Sequence, residues 1–251
     1  MKGCFNLKNW KIYLYLILTY IIMQLASVAL ASPLTQYFNG DAALSAKEAK
    51  YHGFAWSLFT TNLLAAIVFY ILFFRKKNFF KIFDGKPASI GMTIVWGIIS
   101  FFLALFGQMI AGMIEMTLFG IEPGSDNTAL LSDIAKVSPI IIVSMVIFAP
   151  LLEELIFRRI LFGGLYQKTN FIIAAMISAL VFAVVHNELE HTLIYMAPAL
   201  VFSFVYYKTK RLLAPIIGHF MMNGFVVVIQ LNYDKIMELQ KLQQSVIAFF
   251  Q

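Results

Sequence analysis

The chain has 251 residues, of which 61% are hydrophobic and 13% charged, with a formal charge of +6. Soluble globular domains carry about 25% charged residues, so this composition excludes one and points to a membrane protein. A single cysteine, Cys4, excludes an intrachain disulfide and a cysteine-rich metal site.

Long apolar runs predict seven spanning helices, each near the roughly 18–20 residues that cross the hydrocarbon layer. The first covers about Lys11 to Ala31. Its start also fits a signal peptide, with Lys2 ahead of the apolar core and Ala29-Leu30-Ala31 as a cleavage site. The run exceeds the roughly 7–15 residues of a signal core, which favours a retained helix. The second and third segments run from Gly53 to Phe74 and from Ile90 to Phe119. The fourth, Val137 to Tyr166, carries Pro150, which cannot donate to the carbonyl of Val146 and predicts a kink or break. Phe171 to His186, Thr192 to Tyr207 and Leu212 to Leu231 follow. Asn232 to Gln251 sets Ile236, Leu239, Leu242, Val246 and Phe249 among polar residues, a helical stripe suited to the membrane interface. Strands are excluded as spanning elements, because the runs are continuously apolar rather than alternating.

The fold class is therefore an all-α polytopic transmembrane bundle of about seven spanning helices with an interfacial or partial eighth. It divides into N-terminal helices (1–136), a catalytic-type bundle (137–231) and an amphipathic tail (232–251) within one compact membrane domain. No internal repeat is apparent.

Charge alternates between turns. Lys2, Lys8 and Lys11 precede the first segment. Arg75, Lys76, Lys77, Lys81 and Lys86 fill the second turn, Arg158, Arg159 and Lys168 the fourth, and Lys208, Lys210 and Arg211 the sixth. Glu122, Asp126 and Asp133, then Glu188 and Glu190, mark the turns between. This predicts a cytoplasmic N-terminus, with anionic lipid headgroups rather than nucleic acid as the partner of the positive charge.

Ionisable groups inside spanning segments are costly, about 2.5–3.5 kcal/mol each on insertion scales, and mark functional sites. Glu153 and Glu154 point about 100° apart on a helix, whereas Glu154 and Arg158 share a face at i,i+4. Glu154 is thus expected to pair with Arg158 while Glu153 projects alone. His186 follows Phe182 by four residues, and His219 and Asn223 share a face beside Gly218 and Gly224, which permit close helix approach. Measured from their segment starts, His186 lies about 22 Å in and His219 about 10 Å. Tilt, a later start of the fifth helix or the break at Pro150 must bring them level. Gln108, Glu115 and Tyr195 are further polar residues, expected mainly to bond between helices. His52 and His191 receive no chemical role.

Glu153-Glu154-Leu-Ile-Phe-Arg158, Phe182-Ala-Val-Val-His186 and His219-Phe-Met-Met-Asn223 resemble the three motifs of the CAAX-protease and bacteriocin-processing (Abi) family of intramembrane proteases, related to the CAAX prenyl endopeptidase. The resemblance implies an endopeptidase of a bacterial cell membrane, acting on peptide or membrane-protein substrates in bacteriocin maturation or self-immunity. It implies Glu153 as the water-activating base with His186 as its partner. His219 and Asn223 then stabilise the oxyanion, and Glu154, Arg158 and Phe182 support them. Independently of the resemblance, desolvation strengthens a carboxylate base, and paired donors stabilise a developing oxyanion. Two histidines and a glutamate also form a known zinc set, so Glu153, His186 and His219 are candidate ligands. The HExxH helix is missing, so a zinc-dependent and a metal-free mechanism both stay open. A non-catalytic immunity or scaffold protein and a small transporter are the other readings, the latter disfavoured by the missing repeat.

Overall fold

The computed structural model describes residues 10–74, 76, 78–122 and 124–249. Lys2, Cys4, Lys8, Arg75 and Lys77, used above, lie outside the described residues. Among these residues the secondary structure is helical, with no strand. The helices are α1 (Trp10–Phe38), α2 (Ala46–Phe74), α3 (Ile90–Phe119), α4 (Asp126–Val137), α5 (Ile140–Lys168), α6 (Phe171–Val185), α7 (Thr192–Thr209), α8 (Leu213–Leu231) and α9 (Tyr233–Phe249). Six segments are long and apolar enough to cross a membrane: α1, α2, α3, α5, α7 with its preceding turn, and α8. At 15 residues, α6 is only about 22 Å long. The expected fifth crossing is thus a short helix, with His186 at its C-terminal cap.

Two further differences from the sequence expectations have physical causes. Asp126–Val137 is a helix rather than a loop: Ser125 caps it by accepting from the Thr128 N–H at 3.1 Å, and Ser132, Ile134 and Ala135 are buried. The break expected at Pro150 is absent. Instead, α5 widens into π turns at Ser144–Phe148 and Glu154–Phe162, absorbing the missing N–H while the helix continues.

The most buried spanning segment is α5, which packs against α1, α2, α6, α7 and α8. On the far side, α3 packs against α7 and α8. Close approach of α3 and α8 depends on Gly218, where a Cβ would collide with Ser100 Oγ and lie 3.0 Å from the Gly97 carbonyl. At Gly224 an added Cβ would meet only ordinary contact, 3.7 Å from Val146. Large apolar side chains such as Val28, Ile71, Leu118 and Ile172 face outward, as lipid contact requires. The C-terminal helix α9 carries exposed Leu239 and Leu242 among polar residues, the surface an interfacial helix needs.

Opposite ends of the bundle carry opposite charge. At one end the α2–α3 turn meets the α7–α8 turn, through Ala88 N–H to the Thr209 carbonyl (3.0 Å) and Arg211 Nε to the Ala88 carbonyl (2.6 Å). Lys81, Lys86, Lys208, Lys210 and Arg211 gather there. At the other end, Glu188 joins the α6–α7 turn to the start of α4. Arg158 and Arg159 do not extend to water at the basic end, because both are buried within α5. Arg159 donates to the Phe79 carbonyl and, at 3.1 Å, to Tyr13 Oη, holding the α2–α3 turn against α5 and α1.

Candidate functional site

Helical hairpins set the depth of each motif. Thr169 and Asn170 turn the chain between α5 and α6, and Phe157 and Phe182, equally far from that turn, meet edge to face at 5.1 Å. Glu153 and His186 are likewise equally far from it, one turn further along. In the α7–α8 hairpin, Phe202 and His219 are equidistant from Lys210–Arg211, and their rings stack at 5.1 Å. The Arg158 guanidinium lies 4.6 Å from the Phe182 ring centre and 5.4 Å from that of Phe202, which levels the two hairpins. Counting from turns rather than from segment starts removes the depth conflict of the sequence reading.

The two glutamates are not equivalent. Glu154 is fully buried, and its Oε2 lies 3.2 Å from Nε of the equally buried Arg158. Its Oε1 accepts a 2.9 Å hydrogen bond from His219 Nδ1. A carboxylate can only accept here, so that bond places a proton on Nδ1 and turns Nε2 toward Glu153, whose Oε2 is 3.7 Å away. Glu153 keeps 15% of its side chain exposed, against none for Glu154. A buried charge must be paired to be tolerated, and Arg158 and Glu154 make that ion contact, while Arg158 Nη1 and Nη2 meet no hydrogen-bond acceptor.

Asn223, one turn beyond His219, donates from Nδ2 to the Met145 carbonyl at 2.9 Å. That carbonyl needs an outside donor. Ala149, its α-helical partner, bonds back to Ser144 instead, and Pro150, the next candidate, has no N–H. Asn223 thus ties α8 to the π turn of α5 and retains a second amide hydrogen.

His186 donates Nδ1–H to the Phe182 carbonyl at 2.7 Å, which leaves Nε2 as an acceptor. Its ring is sandwiched between Phe182 at 4.5 Å and Tyr195 at 4.2 Å. No polar contact joins it to Glu153 or His219 among the described residues; Phe182 bridges them, lying 6.2 Å from the His219 ring. Two carboxylates fix the turn that follows. Buried Glu115 accepts from the Leu193 and Ile194 N–H groups at 2.8 and 3.2 Å and faces His191 Nδ1 at 3.1 Å, capping α7. Glu188 accepts from Tyr195 Oη at 2.5 Å, the Asn127 N–H at 2.9 Å and Ser125 Oγ at 2.9 Å. Partial burial pushes the Glu188 carboxyl up, but these bonds outweigh it and hold the group below its ordinary value.

The structure therefore brings Glu153, Glu154, Arg158 and His219 into direct contact, with Phe182 against them, His186 stacked on Phe182, and Asn223 at the adjoining π turn. As a zinc set, Glu153, His186 and His219 do not fit: no group of three or more His, Cys, Asp or Glu side chains among the described residues is arranged to hold a metal ion. Sequence reasoning missed Phe202, which lies in a uniformly apolar helix and becomes visible only by counting back from the Lys210–Arg211 turn. It also missed the Glu188 clamp, where an acidic turn residue gave no sign of its partners.

Three comparisons with known proteins bear on the chain. A family profile described as type II CAAX prenyl endopeptidase Rce1-like matches residues 135–225, a stretch containing Glu153, Glu154, Arg158, Phe182, His186, His219 and Asn223. The putative membrane peptidase YdiL of Bacillus subtilis (strain 168) is 42% identical over 223 residues, covering 88% of this chain and 90% of YdiL. The membrane-embedded CAAX protease MroQ of Staphylococcus aureus (strain USA300) is 37% identical over 175 residues, covering 67% of this chain and 71% of MroQ. No solved structure gives a significant match.

Proposed function

The chain belongs to the family of CAAX-protease-like membrane peptidases, and we propose that it hydrolyses peptide bonds with a water molecule activated by Glu153. Its place in that family makes it an integral membrane protease acting on a peptide or protein substrate. The mechanism follows from its own residues. Glu153 is the carboxylate with residual exposure, and His186, stacked on the Phe182 that also meets His219, offers Nε2 to orient the same water. Glu153 takes a proton from the water as its oxygen attacks the scissile carbonyl, and returns that proton to the leaving amine. The developing oxyanion is met by the second amide hydrogen of Asn223 and by His219, whose Nδ1–H is held by Glu154 and which donates from Nε2 in its doubly protonated form. Each such donor is worth about 2.7–4 kcal/mol in the transition state. Glu154 and Arg158 orient His219 and do not touch substrate. No step is routed through a metal ion, since the donors are not arranged as a ligand set.

The observation that carries this assignment is the position of His219 between two unlike carboxylates, one fully buried and one partly exposed. The basic end of the bundle faces the cytoplasm in this proposal, with the N-terminus on the same side. Substrates are peptides or the ends of membrane proteins, in bacteriocin maturation or self-immunity. Reconstituted protein incubated with a peptide library provides the test, comparing wild type and Glu153→Gln with and without a chelator. Wild-type cleavage that survives chelation and vanishes in the variant is the expected result. Cleavage by Glu153→Gln at the wild-type rate overturns the role of Glu153.

A further inference from the structure

A cavity of about 330 Å³ opens at the basic end of the bundle, away from the motif residues, where the α2–α3 turn, the end of α5 and the end of α7 meet. Lys208, Lys210, Tyr166, Tyr207, Gln167 and Asp84 supply its polar lining. Positive charge at this end of a membrane protein has a general explanation in orientation alone, with lysines extended toward water. Lys210 departs from that pattern. It caps α7 in the left-handed conformation, at φ 56°, where glycine is the usual residue and a side chain is strained. Its ammonium also lies against the bare backbone of Gly85, itself at φ 82°, where an added Cβ would be 2.7 Å from Nζ. One residue in an unusual backbone conformation thus sets its ammonium between a cavity and a bare glycine backbone. Strain kept at such a position points to use of the side chain that bears it.

We propose that this cavity binds the phosphate of a membrane phospholipid headgroup. Two ammonium groups, the Tyr207 hydroxyl, which accepts from Tyr166 and keeps its own hydrogen, and an amide are donors suited to phosphate oxygens. Tyrosine rings and lysine stems suit the level at which headgroups meet the hydrocarbon. Asp84 adds one negative charge to the lining. It opposes a doubly charged phosphate monoester more than a singly charged phosphodiester, which favours a lipid over free phosphate. The proposal does not depend on the assignment of Glu153 as the base, because the cavity shares no residue with that site.

Calorimetric titration of the detergent-solubilised full chain with short-chain phosphatidylglycerol, and separately with inorganic phosphate and glycerol 3-phosphate, tests it. Lipid binding is expected, and Lys208→Ala combined with Lys210→Gly should weaken it about thirtyfold, since each lysine near an anionic headgroup contributes about fivefold. Lys210→Gly alone should weaken binding without lowering the thermal midpoint, because glycine relaxes the left-handed position. Equal lipid affinity in wild type and the double variant overturns the proposal, as does binding of inorganic phosphate or glycerol 3-phosphate without binding of the lipid.

Discussion

His219 Nδ1 lies 2.9 Å from Glu154 Oε1, so the imidazole is held by the carboxylate that also neutralises Arg158. The adjacent glutamates should therefore fail differently when mutated. Glu154→Ala leaves a buried guanidinium unpaired and should cost about 3–5 kcal/mol of stability. Glu153→Gln removes a partly exposed group and should leave the thermal midpoint close to wild type while lowering kcat about 10²–10⁴-fold. Melting curves in detergent and cleavage rates on one peptide separate the two effects. A Glu153→Gln protein as unstable as Glu154→Ala would make Glu153 a structural residue.

Asn223 should behave as part of the α5 backbone as well as part of the proposed site. Asn223→Ala strands the Met145 carbonyl and should cost about 1–3 kcal/mol. Pro150→Ala restores an N–H near that carbonyl, so the loss on Asn223→Ala should be smaller in that background. A double-mutant cycle read by thermal or denaturant unfolding should give a coupling of about 1 kcal/mol. Strict additivity would mean that Asn223 does not serve the proline-disturbed turn.

Gly218 positions its neighbour His219. Gly218→Ala drives a methyl group into Ser100 and should force α8 away from α3, at a cost of about 1–3 kcal/mol and with a fall in kcat. Ser100→Gly removes the Ser100 atoms, leaving the Gly97 carbonyl in close approach, and should recover part of both losses. Recovery of stability without recovery of kcat would separate helix spacing from the placement of His219.

The sequence announces the apolar helices and the i,i+4 pairing of Glu154 with Arg158, because length, hydropathy and helical spacing act locally. The π turns are not announced. Around Ser144–Phe148 the residues are apolar on every side of the helix, and at Glu154–Phe162 the few charges also fit 3.6-residue spacing, so the change in pitch leaves no trace in the pattern. The helix Asp126–Val137 was obscured by its charges, although Leu130, Leu131, Ile134 and Ala135 have helical spacing and Ser125 is a suitable cap. The level of His186 relative to Glu153 was recoverable from the Thr169–Asn170 turn. That of His219 required the contacts of Phe202 and Arg158, which join two hairpins distant in sequence.

Glu188 is the outer clamp on this arrangement, joining the start of α4 to Tyr195, whose ring stacks on His186. Its carboxyl is held below the ordinary value of 4.5 in the folded protein. The charged form is thus favoured by folding, and the clamp contributes its full stability above that ordinary value. The contribution is lost as pH falls through the depressed folded value. Glu188→Gln should lower the thermal midpoint at pH 7 and flatten its dependence on pH below 5, and Tyr195→Phe should reproduce part of both effects. Thermal melts in detergent from pH 7 to pH 3.5 measure this. Parallel acid-side slopes in wild type and Glu188→Gln would show that the clamp does not hold α4 against the α6–α7 turn.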